Sequence, residues 1–223
     1  VNDSGNNVLN AQLNLGGATT LGSTSGTLTL SQQINTGSGH ALTVTGDGNF
    51  VFGGQIDGSG NLTTRGAGTK TFNRAVTTGG AVTFGGSGAT TLNDQLSNAT
   101  SLTITNSAAT TFNAKVSSQS VNLSGTGAVN FNGNELNTKS FTNSGSGDVS
   151  VASKLNVDGP MTLSGSGNTL LTGVEINAKN LNITGTGTTT IAGNGNTNIA
   201  TTSVTGGTLL LDRDSGTALS GNV

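Results

Sequence analysis

The sequence predicts an all-β chain wound as a right-handed parallel β-helix, with about twenty residues per coil, about ten coils and three short strands in each coil. Three observations carry that expectation. Large apolar residues recur in columns twenty residues apart, apolar and polar residues alternate over short runs, and a Gly-x-Gly unit returns at one phase of the repeat. Fixed periods of twenty to fifty residues are the signature of stacked-repeat folds.

The first column runs Phe52, Phe72, Leu92, Phe112, Phe131, Val151, Leu171, Ile191 and Leu211, and every step is twenty except the nineteen from Phe112 to Phe131. A second follows four or five residues later: Ile56, Val76, Leu96, Val116, Leu136, Leu155 and Ile176. A third holds Leu42, Leu62, Val82, Leu102, Val121, Phe141, Met161 and Leu181. Two residues further lies a fourth, Val44, Phe84, Ile104, Leu123, Leu163 and Ile183, broken by Thr64 and Asn143. Runs such as Val82-Thr83-Phe84 and Leu102-Thr103-Ile104 have the period of a strand with one buried face.

Corners come from the glycines, as in Gly66-Ala67-Gly68, Gly86-Ser87-Gly88 and Gly165-Ser166-Gly167. Glycine suits a backbone that must take positive φ, so a pair at constant phase marks a turn. No helix follows any copy, which argues against a nucleotide-binding loop. The segment Ile34 to His40 holds about two extra residues, so a bulged corner or small loop is expected there. One such coil cannot bury enough apolar surface to hold itself together. Stacking must supply the rest through a shared core and inter-coil hydrogen bonds, and parallel crossovers are overwhelmingly right-handed.

Composition narrows the functional classes. Charged residues are 8% of the chain, against roughly 25% in typical soluble proteins, and the net charge is -2. That argues against nucleic acid as a partner and against a polybasic membrane patch. No apolar run is long enough to span a bilayer, so membrane insertion of this segment is not expected. The absence of cysteine removes disulfides and thiolate metal sites together. High Gly, Ser and Asn content would also suit a disordered linker, but the regular apolar columns argue against that. The chain starts at Val1, which suggests a piece of a longer product, and residues 1–223 are expected to form one solenoid domain.

Columns become vertical ladders in a stacked fold. Asn73, Asn93, Asn113 and Asn132 each follow the first apolar column and predict a structural asparagine stack. Arg74 over Asp94 predicts a surface ion pair between coils. Thr43, Thr63, Thr83, Thr103, Thr142 and Thr162, with Asn122 and Asn182 in the gaps, form a candidate outward contact ladder. It resembles the threonine face of solenoid antifreeze proteins, which implies ice binding, although Arg65 and Gly85 break its partner column.

No catalytic, cofactor-binding or metal-binding residue is assigned. The ten acidic residues fall at unlike phases, no Trp or Tyr is present for sugar stacking, and the lone His40 has no Ser or Asp signature beside it. Calcium-binding nonapeptide repeats would need Asp at a fixed phase after Gly-x-Gly, and Asp47 and Asp148 differ in phase.

Residues 66–76 (Gly-Ala-Gly-Thr-Lys-Thr-Phe-Asn-Arg-Ala-Val) and their copies at 89–96 and 109–116 resemble the β-helical passenger repeats of type V-secreted bacterial surface proteins, the autotransporter and filamentous-haemagglutinin-like exoproteins. Val204-Thr-Gly-Gly-Thr-Leu-Leu-Leu-Asp212 is similar to their passenger-associated repeat. The resemblance covers roughly residues 40–215. It implies secretion to the extracellular space or bacterial cell surface and a stalk acting in adhesion, aggregation or biofilm matrix; the absence of catalytic and metal-ligand signatures in the residues adds the expectation that the stalk is non-enzymatic and takes no cofactor. Its partners would be a host or other cell surface, or further copies of the chain. Self-association through solenoid ends or lateral faces would make the chain a filament or sheath subunit.

Overall fold

The computed structural model describes residues 1–223 and contains 28 strands and no helix. Every strand pairing is parallel and joins a segment to its counterpart one coil away. One sheet of 11 strands takes the first strand of each coil, from Asn6–Leu9 to Thr208–Ser215. A second sheet of 17 strands takes the remaining segments. The chain is therefore a parallel β-solenoid of about ten coils, the architecture expected from the period of about twenty.

The apolar columns are stacked as their spacing requires. Phe52 pairs with Phe72, Phe72 with Leu92, Leu92 with Phe112 and Phe112 with Phe131. The column continues through Val151, Leu171 and Ile191, and all eight residues are buried. Phe52 and Phe72 stack with ring centroids 4.5 Å apart, and Phe112 and Phe131 at 4.9 Å, each pair within 5° of parallel. The second, third and fourth columns join the same continuous cluster of 38 buried apolar residues.

Leu211 departs from the expected core stack. It lies in register with Ile191, yet 43% of its surface is exposed. The strand Thr208–Ser215 pairs on one side only, so no later rung covers the side chain. Period alone sets a residue's column and carries no information about what lies above it.

The expectation of three strands per coil holds through the first seven coils and needs correction only in the later ones. Early coils divide the second sheet's contribution into two short strands, such as Val76–Thr78 and Ala81–Phe84 around Gly79-Gly80. Later coils run through that corner as single strands, Lys154–Leu163, Glu175–Ile183 and Asn196–Val204. In the coil of Glu175–Ile183 a single residue, Lys179, stands between the buried Ala178 and Asn180 where Gly79-Gly80 stand between the buried Thr78 and Ala81, and the corner is crossed within one strand.

The shortened repeat is localised to one residue. Leu96 pairs with Val116, twenty positions on, whereas Ala99 pairs with Ser118, nineteen positions on. Between them Asn98 takes φ 65°, the one non-glycine residue with positive φ. It forms a bulge that lets Ala99 regain the inward side. The extra pair of residues near Ile34 forms a small loop, in which the His40 amide donates to the Thr36 carbonyl at 3.0 Å and Gly37 and Gly39 have positive φ.

The Gly-x-Gly corners bear out positive φ in the early coils and have a second cause in all of them. Gly46, Gly66 and Gly86 have positive φ, but the equivalent Gly145, Gly165 and Gly185 do not. A Cβ on Gly165 would instead run into the carbonyl oxygen of Gly145, and one on Gly185 into that of Gly165. Glycine is required here because consecutive corners lie nearly in contact.

The interior also holds a column that reads poorly as core. Phe50, Lys70, Thr90, Thr110, Val129, Val149, Thr169 and Thr189 stand in register and are all buried. Lys70 Nζ donates to the Gly66 carbonyl at 3.0 Å. Burial pushes its ammonium below the usual lysine range, and the Asp47 carboxylate partly offsets this. Asn106 replaces a corner glycine and turns inward, where its Nδ2 donates to Thr90 Oγ1 at 3.2 Å and Thr110 Oγ1 at 3.0 Å. Thr64 and Asn143, the two breaks in the fourth column, both point inward. Asn143 Oδ1 accepts from the Gly145 amide, while Thr64 Oγ1 has no partner.

Candidate functional site

Since the coils bury their apolar groups inside, what the chain offers to other molecules is a set of outward ladders and the grooves between them. The asparagine ladder after the first column is formed over three rungs. Asn93 Nδ2 donates to Asn73 Oδ1 at 2.9 Å, and Asn113 Nδ2 to Asn93 Oδ1 at 3.0 Å. Asn132 does not extend it. Leu136 lies five positions after Phe131 where Val116 lies four after Phe112, and in that longer corner Asn132 is bonded through its backbone amide to the Phe112 carbonyl and not through its side chain.

The expected Arg74–Asp94 ion pair is also absent. Asp94 Oδ1 instead accepts from the Gln95 amide at 2.7 Å, a local bond that needs no ordering of a long side chain. The ion pairs lie one column further on, at Lys115–Glu135 and Lys154–Glu175, each 2.6 Å long. Glu135 is in register with Lys154, so cations and carboxylates alternate up the rod.

The threonine ladder stands in continuous register from Thr43 through Thr63, Thr83 and Thr103, then Asn122, Thr142, Thr162 and Asn182. Each of these side chains is half-buried among its neighbours. The column presents hydroxyl and methyl groups in file along one face of the second sheet.

A second, longer asparagine ladder was not anticipated. Asn156 Nδ2 donates to Asn137 Oδ1 and Asn177 Nδ2 to Asn156 Oδ1, both at 2.7 Å, and Asn198 Nδ2 donates to Asn177 Oδ1 at 2.8 Å. The signal was present, since Asn137, Asn156 and Asn177 directly follow the second apolar column and Asn198 follows Thr197 at the same phase. It was obscured because the steps are nineteen and twenty-one rather than twenty. The glutamates of the ion ladder brace it: Asn156 Nδ2 reaches Glu135 Oε1 at 3.3 Å, and Asn177 Nδ2 reaches Glu175 Oε1 at 3.0 Å. Lys115 first, and Asn137 after it, hold the Glu135 carboxyl below the usual range. Lys154 and Asn177 do the same for Glu175, which in turn raises Lys154.

This ladder floors the main concavity of the molecule, a groove of about 670 Å³ along the corner between the second and third segments of the coils. Asn98 and Ala99 lie at one end, Ser117, Asn137, Asn156 and Asn177 line its length, and Gln119, Lys139 and Asp158 lie beside them across the corner. It spans five successive coils, hence roughly 20 Å at about 4.8 Å per coil. Two of its twelve lining residues are apolar, so its chemistry is that of amides and hydroxyls.

No three His, Cys, Asp or Glu side chains converge in the structure. His40 lies in the small loop described above, away from the groove. Near the last coil, Arg213 clamps three rungs by donating to the carbonyls of Gly173 at 3.0 Å and Ala192 at 2.9 Å and to Thr197 Oγ1 at 3.1 Å.

Fold and site together define a parallel β-solenoid repeat protein with polar ladders on its surface. Comparison with known proteins finds no matching family model, no matching curated protein and no matching solved structure.

Proposed function

We propose that this chain is a non-enzymatic, extracellular structural protein of a bacterial surface, a β-solenoid stalk acting in adhesion, aggregation or biofilm matrix. The observation that carries the reading is the continuity of the rod. One apolar core and one inter-coil hydrogen-bond ladder run through about ten coils, while the outer faces repeat uncharged hydroxyl and amide groups. Such a body holds a surface at a distance, and its side chains present many weak contacts in file. The resemblance of residues 66–76 and 204–212 to type V passenger repeats supports export by that route. The test is to delete the encoding gene and measure aggregation and biofilm mass, with the protein located by antibody on intact cells. Unchanged aggregation, or protein confined to the cytoplasm, would refute it.

A second reading, a filament subunit joined end to end, is favoured by one feature. The strand Thr208–Ser215 has a free edge, and Leu211, which continues the buried core column there, is 43% exposed. A further coil would pair with that edge and cover Leu211, whether it came from the same chain or from another copy. Electron microscopy of the purified protein distinguishes long filaments from single rods.

A further inference from the structure

The groove is too regular to leave as an accident of coil packing, and the hydrogen-bonding capacity of its floor can be counted. Each asparagine amide has two donor hydrogens and an oxygen with two lone pairs. Asn156 Nδ2 spends its hydrogens on Asn137 and Glu135, and Asn177 Nδ2 spends its own on Asn156 and Glu175. The Oδ1 atoms of Asn137, Asn156 and Asn177 each accept one bond from the next rung. One lone pair per coil is left over, in a row with a repeat of about 4.8 Å. At Asn156 and Asn177 the glutamates, themselves held by lysines, thus leave only acceptor capacity free. Beside it the Lys139 ammonium and the Gln119 amide bring donors that bind nothing else in the chain.

The ligand this arrangement recognises is extended and carries hydroxyl donors at short intervals. The lining carries one positive and one negative group, Lys139 and Asp158, so it selects for no net charge. A peptide strand fits poorly. The corner backbone is already spent between coils, with the Gln119 amide on the Ala99 carbonyl at 2.9 Å and the Lys139 amide on the Gln119 carbonyl at 3.0 Å. No free edge remains for strand addition, and Ala99 and Val157 are the only apolar lining for side chains. From this we infer that the groove over Ser117, Asn137, Asn156 and Asn177 is a non-catalytic binding site for an uncharged oligosaccharide chain lying along the solenoid axis. The inference rests on the adhesive reading above and names the chemistry of what is adhered to.

The experiment is calorimetric titration of the purified chain with neutral oligosaccharides of graded length, cello-, xylo- and chito-oligosaccharides, with oligogalacturonate as an acidic arm. Affinity should rise with length until the groove is filled. Asn156→Leu removes one acceptor and should weaken binding about fivefold, the worth of one neutral hydrogen bond. Because that variant also breaks the ladder, Ser117→Phe and Lys139→Met serve as further variants. The first fills the groove and should abolish binding, and the second removes a lining donor without touching the ladder. Melting curves confirm that each remains folded. The site assignment is overturned if no neutral oligosaccharide binds, if only the acidic arm binds, or if Ser117→Phe binds as tightly as the parent. Cells that still aggregate through a chain binding no glycan would sink the groove alone. A glycan-binding chain that confers no adherence would sink the adhesive reading alone.

Discussion

Replacing Phe112 by alanine tests whether the vertical stacks hold the fold together. The side chain is 1% exposed, overlies Leu92 in register and stacks on Phe131 at 4.9 Å, with Phe84 tilted against it at 6.2 Å. Truncating a buried phenylalanine costs about 3–5 kcal/mol, and the lost aromatic pairing is included in the upper part of that range. Unfolding entropy of about 2.1 cal/mol/K per residue, taken over 223 residues, amounts to about 0.47 kcal/mol/K. A loss of about 4 kcal/mol then lowers Tm by roughly 8–9 °C if the rod melts as one unit. Two controls bracket the result. Phe112→Leu should cost much less, because Leu92 occupies the same column equally buried, and Leu211→Ala should be mild because that member of the column is exposed. Without Trp or Tyr, the transitions are followed by far-ultraviolet circular dichroism in heat and urea. A Phe112→Ala loss under about 1 kcal/mol, or one equal to that of Leu211→Ala, would refute the stacked-core account.

Further predictions follow from other columns. Gly165→Ala places a methyl against the Gly145 carbonyl and should destabilise by about 1–3 kcal/mol, whereas Gly16→Ala, with open space around it, should be neutral or better by up to about 1 kcal/mol; paired urea melts decide. Thr64→Val replaces a buried, unpartnered hydroxyl by a methyl of the same shape. It should raise stability by about 1 kcal/mol, and any loss in the same melts contradicts the assignment. The ion ladder predicts an acid limb. Glu135 and Glu175 are held below the usual carboxylate range, so their contribution is present above the unfolded pKa and disappears as pH falls through the folded one. Glu135→Gln should flatten that limb, and salt should reduce it because these side chains are partly exposed. A melting temperature with the same acid dependence in parent and variant would remove the ladder from the stability account.

Much of the architecture was legible because steric demand in a solenoid repeats with the coil. A large apolar residue at one phase of each twenty has one place to go, and the four columns from Phe52, Ile56, Leu42 and Val44 landed in register. The buried column through Lys70, Thr90 and Thr110 was hidden for the opposite reason. Runs such as Thr90-Thr91-Leu92 have the same residue type facing in and out, so alternation conveys nothing about which threonine is buried. The groove was missed because it depends on side-chain bonds between rungs whose spacing drifts, at Asn137, Asn156 and Asn177. Positive φ accounts for the corner glycines Gly46, Gly66 and Gly86 but not for Gly145, Gly165 and Gly185, since backbone proximity between coils is not visible in one repeat.

The direction of the hydrogen bonds has a mechanical corollary. They run from coil to coil, parallel to the long axis, so a pull on the two ends loads them one rung at a time rather than all together. Each coil that peels away frees about twenty residues, which extend to roughly 65–70 Å in place of the 4.8 Å they occupied when wound. Under tension the rod would lengthen in steps and, with no disulfide or trapped helix to obstruct rewinding, could shorten again onto the template of the coils still in place.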